Sequence, residues 1–303
     1  MLTDSKGEVL PPVQEKDWNR LVRQLRDGEC IPFIGAGASA GALPTGGQLA
    51  RDYADRYDYP FDDRDDLARV MQYAAFEVGD AVDLKRQVAA DLSRYRPPHF
   101  GAPDSAHGIL AAQPLPLYFT TNYDAFMSEA LTQRGRTPQT AMCPWYRTSK
   151  DDEVDPRSDA PTVFHLHGAA VDPPSMVLTQ EDYLNFLLAL AVDEGFADRR
   201  LIPRKIEPLL TLRPLLFIGY SLKDWSFQVL WKGLSRLFPR EERRRHISVQ
   251  LVDGLQDGLP GTRDRALKFL DDYFDQQKIS VYWGTTNEFC AELNDRLGGP
   301  HAT

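Results

Sequence analysis

Four short stretches of this chain share one pattern, an apolar run that breaks into glycine or small polar residues. From Ile31 to Ser39 the sequence reads Ile-Pro-Phe-Ile-Gly-Ala-Gly-Ala-Ser. Those residue types suit a phosphate cradle. Gly35 permits a tight turn off a strand, Gly37 has no Cβ to hold a pyrophosphate away from the backbone, and the N–H groups opening the next helix face the anion. The second stretch, Tyr118 to Asp124, is Tyr-Phe-Thr-Thr-Asn-Tyr-Asp, and the third, Val163 to Gly168, is Val-Phe-His-Leu-His-Gly. The fourth, Leu215 to Asp224, is Leu-Leu-Phe-Ile-Gly-Tyr-Ser-Leu-Lys-Asp. In open α/β sheets ligands lie beyond the carboxyl ends of the strands, so four strands ending in this way point their polar residues at one crevice. Taken singly, Asn122 and Ser221 fit strand-end turns, and Asp124 and Ser39 fit helix caps. Their shared crevice favours a binding role. His165 and His167 alternate along a strand and share a face, yet two histidines with no third His or Cys nearby are too few for a metal, and no metal site is expected.

The elements that must position these residues alternate between strand and helix. Trp18, Leu21, Val22 and Leu25 fall on one helical face, with Gly28 as a stop before the first strand. Leu49 to Tyr57 reads as a helix. Further helical patterns run from about 64 to 96 and end at Pro97 and Pro98. Strands are expected near 116–120, 161–166, 214–218, 246–252 and 279–283. A longer helical region, about 179–212, opens with Thr179 three residues before Asp182, the spacing of a capping box. Such alternation predicts an α/β fold with a mostly parallel, doubly wound sheet.

Across roughly residues 31 to 224 the motifs read, in order, Gly-Ala-Gly-x-Ser, Thr-Thr-Asn-Tyr-Asp, His-Gly and Gly-Tyr-Ser-Leu-x-Asp. With them the chain resembles the sirtuin family, and within it the bacterial sirtuin-like branch that includes NAD-consuming effectors of antiphage defence. The resemblance implies a Rossmann-like sheet in a single NAD-binding domain over residues 1–303, with helical insertions at about 64–112 and 179–212. It implies NAD as substrate and a glycohydrolase reaction yielding nicotinamide and ADP-ribose. Expelling neutral nicotinamide leaves an oxocarbenium-like ribosyl centre, so the site must position groups more than supply a strong nucleophile.

By the same resemblance Asn122 and His167 are the catalytic pair. An amide offers both donor and acceptor to a ribose hydroxyl and a water, and an imidazole can take a proton near neutrality. Asp124 would contact the nicotinamide carboxamide. Ala36, Gly37 and Ser39, on the turn that Gly35 opens, would meet the phosphates, with Gly219 and Ser221 closing the other side. Asp253 could accept from an adenosine ribose hydroxyl or form a turn with Gly254, and Thr286 and Asn287 match the adenine end loosely. Relatives of this kind act with a partner encoded nearby, a HerA-type ATPase, an Argonaute-type protein or another sensor, and a homo-oligomer is expected. Protein-deacylating sirtuins carry a zinc module with two Cys-x-x-Cys pairs. This chain has three scattered cysteines, Cys30, Cys143 and Cys290, so water becomes the favoured acceptor. A non-catalytic NAD- or ADP-ribose-binding scaffold, an ADP-ribosyltransferase and a deacylase remain the alternatives.

Composition agrees with this reading. A formal charge of −9 over 303 residues opposes binding to a nucleic-acid backbone. The one basic cluster, Arg240, Arg243, Arg244 and Arg245, is interleaved with Glu241 and Glu242 and reads as a solvated loop. An odd number of separated cysteines suggests a reducing compartment. The most apolar run, Phe186 to Val192, is too short to span a bilayer, and Met1 to Pro12 mixes charge with proline, so a cytoplasmic location is expected.

Overall fold

The computed structural model of the protein describes residues 13–146, 154–192, 201–220, 245–250 and 262–299. Within them the strands are β1 (Ile31–Ile34), β2 (Leu117–Thr120), β3 (Gln139–Met142), β4 (Thr162–His165), β5 (Leu215–Tyr220), β6 (His246–Gln250) and β7 (Ile279–Trp283). They form one sheet in the order β3-β4-β2-β1-β5-β6-β7, and every neighbouring pair is parallel. From β1 the chain builds toward one edge, then returns to the other side of β1 at β5 and builds the opposite way. This is a doubly wound, Rossmann-like sheet, with its topological switch point between β1 and β5.

The helices, numbered among the described residues, are α1 (Glu15–Arg26), α2 (Gly46–Arg56), α3 (Leu67–Val78), α4 (Ala81–Leu92), α5 (Ala106–Ala111), α6 (Phe126–Gln133), α7 (Gln180–Val192), α8 (Glu207–Leu212), α9 (Thr262–Gln276) and α10 (Thr286–Arg296). Helices α1, α5, α6 and α10 share a buried core with one face of the sheet, and α7, α8 and α9 with the other. Strands covered on both faces need apolar residues at every position, which is why the four stretches read as continuous runs instead of alternating. Ile31, Phe33, Leu215 and Phe217 enter the core shared with α7, α8 and α9, while Ile34, Leu216 and Ile218 enter the core shared with α1, α5, α6 and α10.

One feature of the core sets the level of the strand ends. Phe33 is paired in register with Phe119 on β2 and Phe217 on β5, and Phe119 with Phe164 on β4. Phe33 stacks on Phe119 at 4.6 Å between ring centroids, and Phe33–Phe217 and Phe119–Phe164 follow at 5.1 and 5.2 Å. This row of four rings runs across the middle of the sheet. Beyond it on the carboxyl side come Gly35, Asn122, His167 and Gly219, each two or three residues past its phenylalanine. Register therefore delivers all four motifs to the same rim.

Helices α2, α3 and α4 form a separate helical layer with a core of its own, which includes Leu49, Tyr53, Met71 and Leu84 and is completed by Met176 and Leu178 from the segment after β4. Each of the three starts on a side-chain cap: Thr45 with Gln48 in a capping box, Asp66, and Asp80. Helix α5 packs instead with α6 on the sheet.

Two local features depart from the sequence expectation. Gln139–Met142 adds an edge strand that the alternation does not predict, because it is short, half exposed and has no hydrophobic run. The glycine turn after β1 leads into a 3-10 turn, Ala36–Ser39, and not directly into an α-helix; α2 begins only after Pro44 and the Thr45 cap. Of the basic cluster, Arg245 pairs with Asp275 at 2.6 Å, and Arg240, Arg243 and Arg244 lie outside the described residues. Among the described residues no helix is long and apolar enough to cross a membrane, and no group of three His, Cys, Asp or Glu could hold a metal ion.

Candidate functional site

The rim beside the switch point is built from backbone pressed on backbone. Gly219, at φ +80°, sits against the glycine turn so closely that a Cβ on it would lie 2.4 Å from Ala38 N and 2.7 Å from Gly35 O. A Cβ on Gly35 would meet Gly219 O at 2.7 Å, and one on Gly37 would meet Gly219 Cα at 2.9 Å. Gly35 itself is extended, with φ −107° and ψ −179°, so its dihedrals suit any residue. The glycines are required first by the approach of β5's end to the β1 turn. Only at Gly219 is a left-handed backbone also needed. The leading N–H groups of the 3-10 turn, at Ala36 and Gly37, have no acceptor within it.

Asn122 is tied directly to this turn. Its Nδ2 donates to Gly35 O at 3.1 Å and lies 3.4 Å from Ser39 Oγ, while its backbone N–H donates to Thr120 Oγ1 at 3.0 Å. Thr120 Oγ1 in turn donates to Ile34 O at 3.1 Å, so β2's end is stitched to β1's. Ser39, buried, donates through Oγ to Asp124 Oδ2 at 3.4 Å, and Asp124 Oδ1 accepts from Phe126 N at 2.9 Å at the start of α6. Burial pushes the Asp124 carboxyl up to about 6, against the pull of those hydrogen bonds. Ser39, Asn122, Asp124 and the Gly35 turn thus form one connected network.

The two histidines occupy different settings. His165 Nδ1 lies 3.2 Å from Asn122 O. A carbonyl only accepts, so Nδ1 carries the ring proton. Burial lowers His165 to about 4, and hydrogen bonds to the Asn122 and Gly168 backbone oppose that shift without overcoming it. His167, also buried, has the rings of Tyr183 and Phe186 from α7 edge-on to it, at centroid distances of 5.5 and 5.1 Å. Desolvation lowers it to about 4 as well, so both imidazoles are neutral near pH 7. Gly168, at φ +75°, turns the chain away so tightly that a Cβ there would lie 2.1 Å from Ser175 O. Val177 N returns to donate to His167 O at 2.9 Å, and Tyr123 OH donates to Val177 O at 2.5 Å.

Of the residues singled out from sequence, Gly35, Ala36, Gly37, Ser39, Asn122, Asp124 and Gly219 gather at one rim, with His167 at the end of the strand next to β2 and joined to Asn122 through His165. Ser221 and Asp253 lie outside the described residues. At the loosely matched adenine end, Thr286 opens α10 and is buried, and Asn287 Nδ2 donates to Asp104 Oδ2 at 2.8 Å. Three neighbours were not singled out. Tyr220 OH bridges Thr121 Oγ1 at 3.1 Å and Ile34 O at 3.4 Å, and Tyr183 and Phe186 flank His167. Tyr220 stands inside the Gly-Tyr-Ser motif and could have been read from it. The α7 rings carry no local signal, because they look like ordinary helix-core positions.

Residues 116–274, more than half of the chain, match the family model described as a SIR2-like domain. Relatives named "NAD(+) hydrolase ThsA" align over much of the chain. The protein of Enterococcus faecium is 24% identical over 268 residues, covering 86% of this chain and 49% of its own. That of Acinetobacter baumannii is 24% identical over 236 residues, covering 78% and 45%, and that of Cytobacillus dafuensis 25% over 233 residues, covering 77% and 43%. The chain spans about half the length of the curated relatives it matches.

Proposed function

The chain belongs to the SIR2-like domain family, and from that premise we propose that it is an NAD glycohydrolase, cleaving NAD to nicotinamide and ADP-ribose as a regulated effector of antiphage defence. The observation that carries the reading is the hold on Asn122. Its amide nitrogen is committed to Gly35 O and Ser39 Oγ, so its amide oxygen is the atom that would accept from a ribose hydroxyl or the incoming water. The relatives' name, NAD(+) hydrolase, supports NAD as the substrate.

In this mechanism the N-glycosidic bond breaks with its electron pair passing to the pyridinium nitrogen, which leaves as neutral nicotinamide. Water adds to the ribosyl carbon and gives up its proton to the neutral imidazole of His167. Neutrality is what burial of His167 secures. Asp124 would hold the carboxamide and, with its carboxyl raised to about 6, is mostly ionised above neutrality. The N–H groups of Ala36 and Gly37 and the hydroxyl of Ser39 would meet the phosphates, and Gly35 and Gly219 set the turn that presents them. Ser221 and Asp253 would complete the phosphate and adenosine-ribose contacts. The unit is one sirtuin-like domain with helical insertions. It would act as a homo-oligomer in the cytoplasm, switched by a partner encoded nearby.

The test is release of free nicotinamide and ADP-ribose from NAD by the purified chain, alone and with its genomic neighbours. Release in either setting supports the reading. Its absence in both, or ADP-ribose recovered only on a labelled acceptor, would overturn it.

A further inference from the structure

One buried charge links the helical layer to the strand end that carries His167. Lys85, on α4, is 4% exposed, and its Nζ donates to Asp182 Oδ1 at 2.7 Å. Asp182 Oδ2 accepts from Leu178 N at 3.0 Å and Thr179 N at 2.8 Å, and Asp182 N donates to Thr179 Oγ1 at 3.1 Å. One carboxylate therefore closes the capping box of α7 and binds the lysine. The Lys85 ammonium also lies 5.3 Å from the Trp145 ring centroid, and Trp145 Nε1 donates to Ser175 O at 2.7 Å. Ser175 O is the atom packed against Gly168. Lys85 thus meets, directly or through one residue, the start of α7 and the Ser175 segment that packs on the His167 turn. Tyr183, the residue after Asp182, and Phe186, one turn on, are the rings on the imidazole.

A buried ion pair is a poor device for stability, because desolvating both charges offsets most of their attraction and an apolar pair would pack as well. What it supplies is a fixed point. We propose that Lys85 is a positioning residue for His167: by pinning Asp182 it sets the first turn of α7, and with it the two rings that orient the imidazole. The inference rests on the glycohydrolase reading for its catalytic consequence and on the structure alone for its geometric one.

The experiment compares the parent chain with Lys85→Met, Lys85→Arg and the double variant Lys85→Met/Asp182→Asn. Steady-state NAD hydrolysis, thermal unfolding and histidine-ring 1H–13C spectra are measured, with the His167 signals assigned from His167→Ala. Lys85→Met is expected to lower kcat about tenfold or more with KM nearly unchanged, as for misplaced reacting groups. It should also move the His167 ring signals as the imidazole leaves the edges of Tyr183 and Phe186. Lys85→Arg should recover most of both. The double variant, which removes the unpaired carboxylate, should recover the unfolding midpoint but neither kcat nor the parental ring signals; it also serves if Lys85→Met fails to fold. His167 signals unmoved in the folded variants, or kcat returning in step with the midpoint, would overturn the proposal. A parent chain that releases no nicotinamide, either alone or with its genomic neighbours, sinks the glycohydrolase reading, and the ring signals then decide the role of Lys85 by themselves.

Discussion

Acidification should unfold this protein through its buried histidines, in a window higher than ordinary carboxylate titration. His107, His165 and His167 are each lowered from 6.5 to about 4, and burial is the leading cause in every case. In the unfolded chain they take up protons as pH falls through 6.5, while in the fold they stay neutral until about 4. The unfolded state then binds more protons, so stability falls as pH falls. Asp124 works the other way. Its folded carboxyl is raised from 3.8 to about 6, so between those values the folded state holds a proton that the unfolded one lacks. Asp271, also raised by burial, adds in that direction. Three histidines against one strongly shifted carboxylate leave a net uptake of about two protons on unfolding between pH 6 and pH 4.5. At about 1.4 kcal/mol per proton per pH unit, that is roughly 4 kcal/mol over the interval, a large part of the 5–15 kcal/mol typical of a domain. The salt-bridged Glu15, Asp63, Asp91 and Asp159 are lowered instead and contribute only at still lower pH. Urea midpoints at half-unit pH steps measure the slope. His107 sits between Phe100 and Phe126 with Nδ1 unpartnered and lies outside the proposed catalytic pair. His107→Leu should therefore cut the slope from about two protons to about one. A midpoint that is flat from pH 7 to pH 5 would refute the reasoning, because it would mean that the histidines titrate in the fold as they do in the unfolded chain.

Asn122→Ala and His167→Ala should each lower NAD turnover by roughly a hundredfold or more while the unfolding midpoint stays near the parent's; parental rates in both would remove the catalytic assignment. His165→Ala should cost less, about tenfold, because it withdraws a donor from Asn122 O without removing a reacting group, and a loss exceeding that of His167→Ala would mean that the roles are exchanged. Gly219→Ala should destabilise the fold by at least about 1–2 kcal/mol from the left-handed backbone alone. Its Cβ, 2.4 Å from Ala38 N, should also push the first turn outward and weaken NAD binding, which titration calorimetry would read.

The sheet was legible because strands buried on both faces advertise themselves: Ile31–Ile34, Leu117–Thr120, Thr162–His165 and Leu215–Tyr220 are apolar at nearly every position and end abruptly in polar residues or glycine. The edge strand Gln139–Met142 was not, since an edge position paired on one side tolerates Gln and Thr and leaves no run to detect. The capping box at Thr179 and Asp182 could be read from spacing. Its second function could not, because Lys85 stands 97 residues away and nothing local marks it as Asp182's partner. The same limit hides Tyr183 and Phe186. Sequence reveals which strand carries His167 and is silent on which helix covers it.

The glycines show how residues can be brought together for a reason other than the one their sequence suggests. From sequence, Gly35 and Gly37 are phosphate-loop glycines, and Gly219 ends a strand and closes the other side of the phosphate contacts. In the structure the three are one contact, with each missing Cβ making room for the backbone of another. That contact joins β1 to β5 across the switch point, the place where a doubly wound sheet opens a crevice. A side chain at any of the three would separate the two strand ends before it met a ligand. Loss of binding after such a substitution therefore reports first on closure of the rim. Asn122 depends on the same closure, because the carbonyl it grips, Gly35 O, is also one of the atoms that a Cβ on Gly219 would meet, at 2.7 Å. Whatever moves β5's end relative to β1 must move the amide that the proposed reaction relies on. The first turn of the crevice and the asparagine proposed for catalysis are in this sense a single mechanical unit.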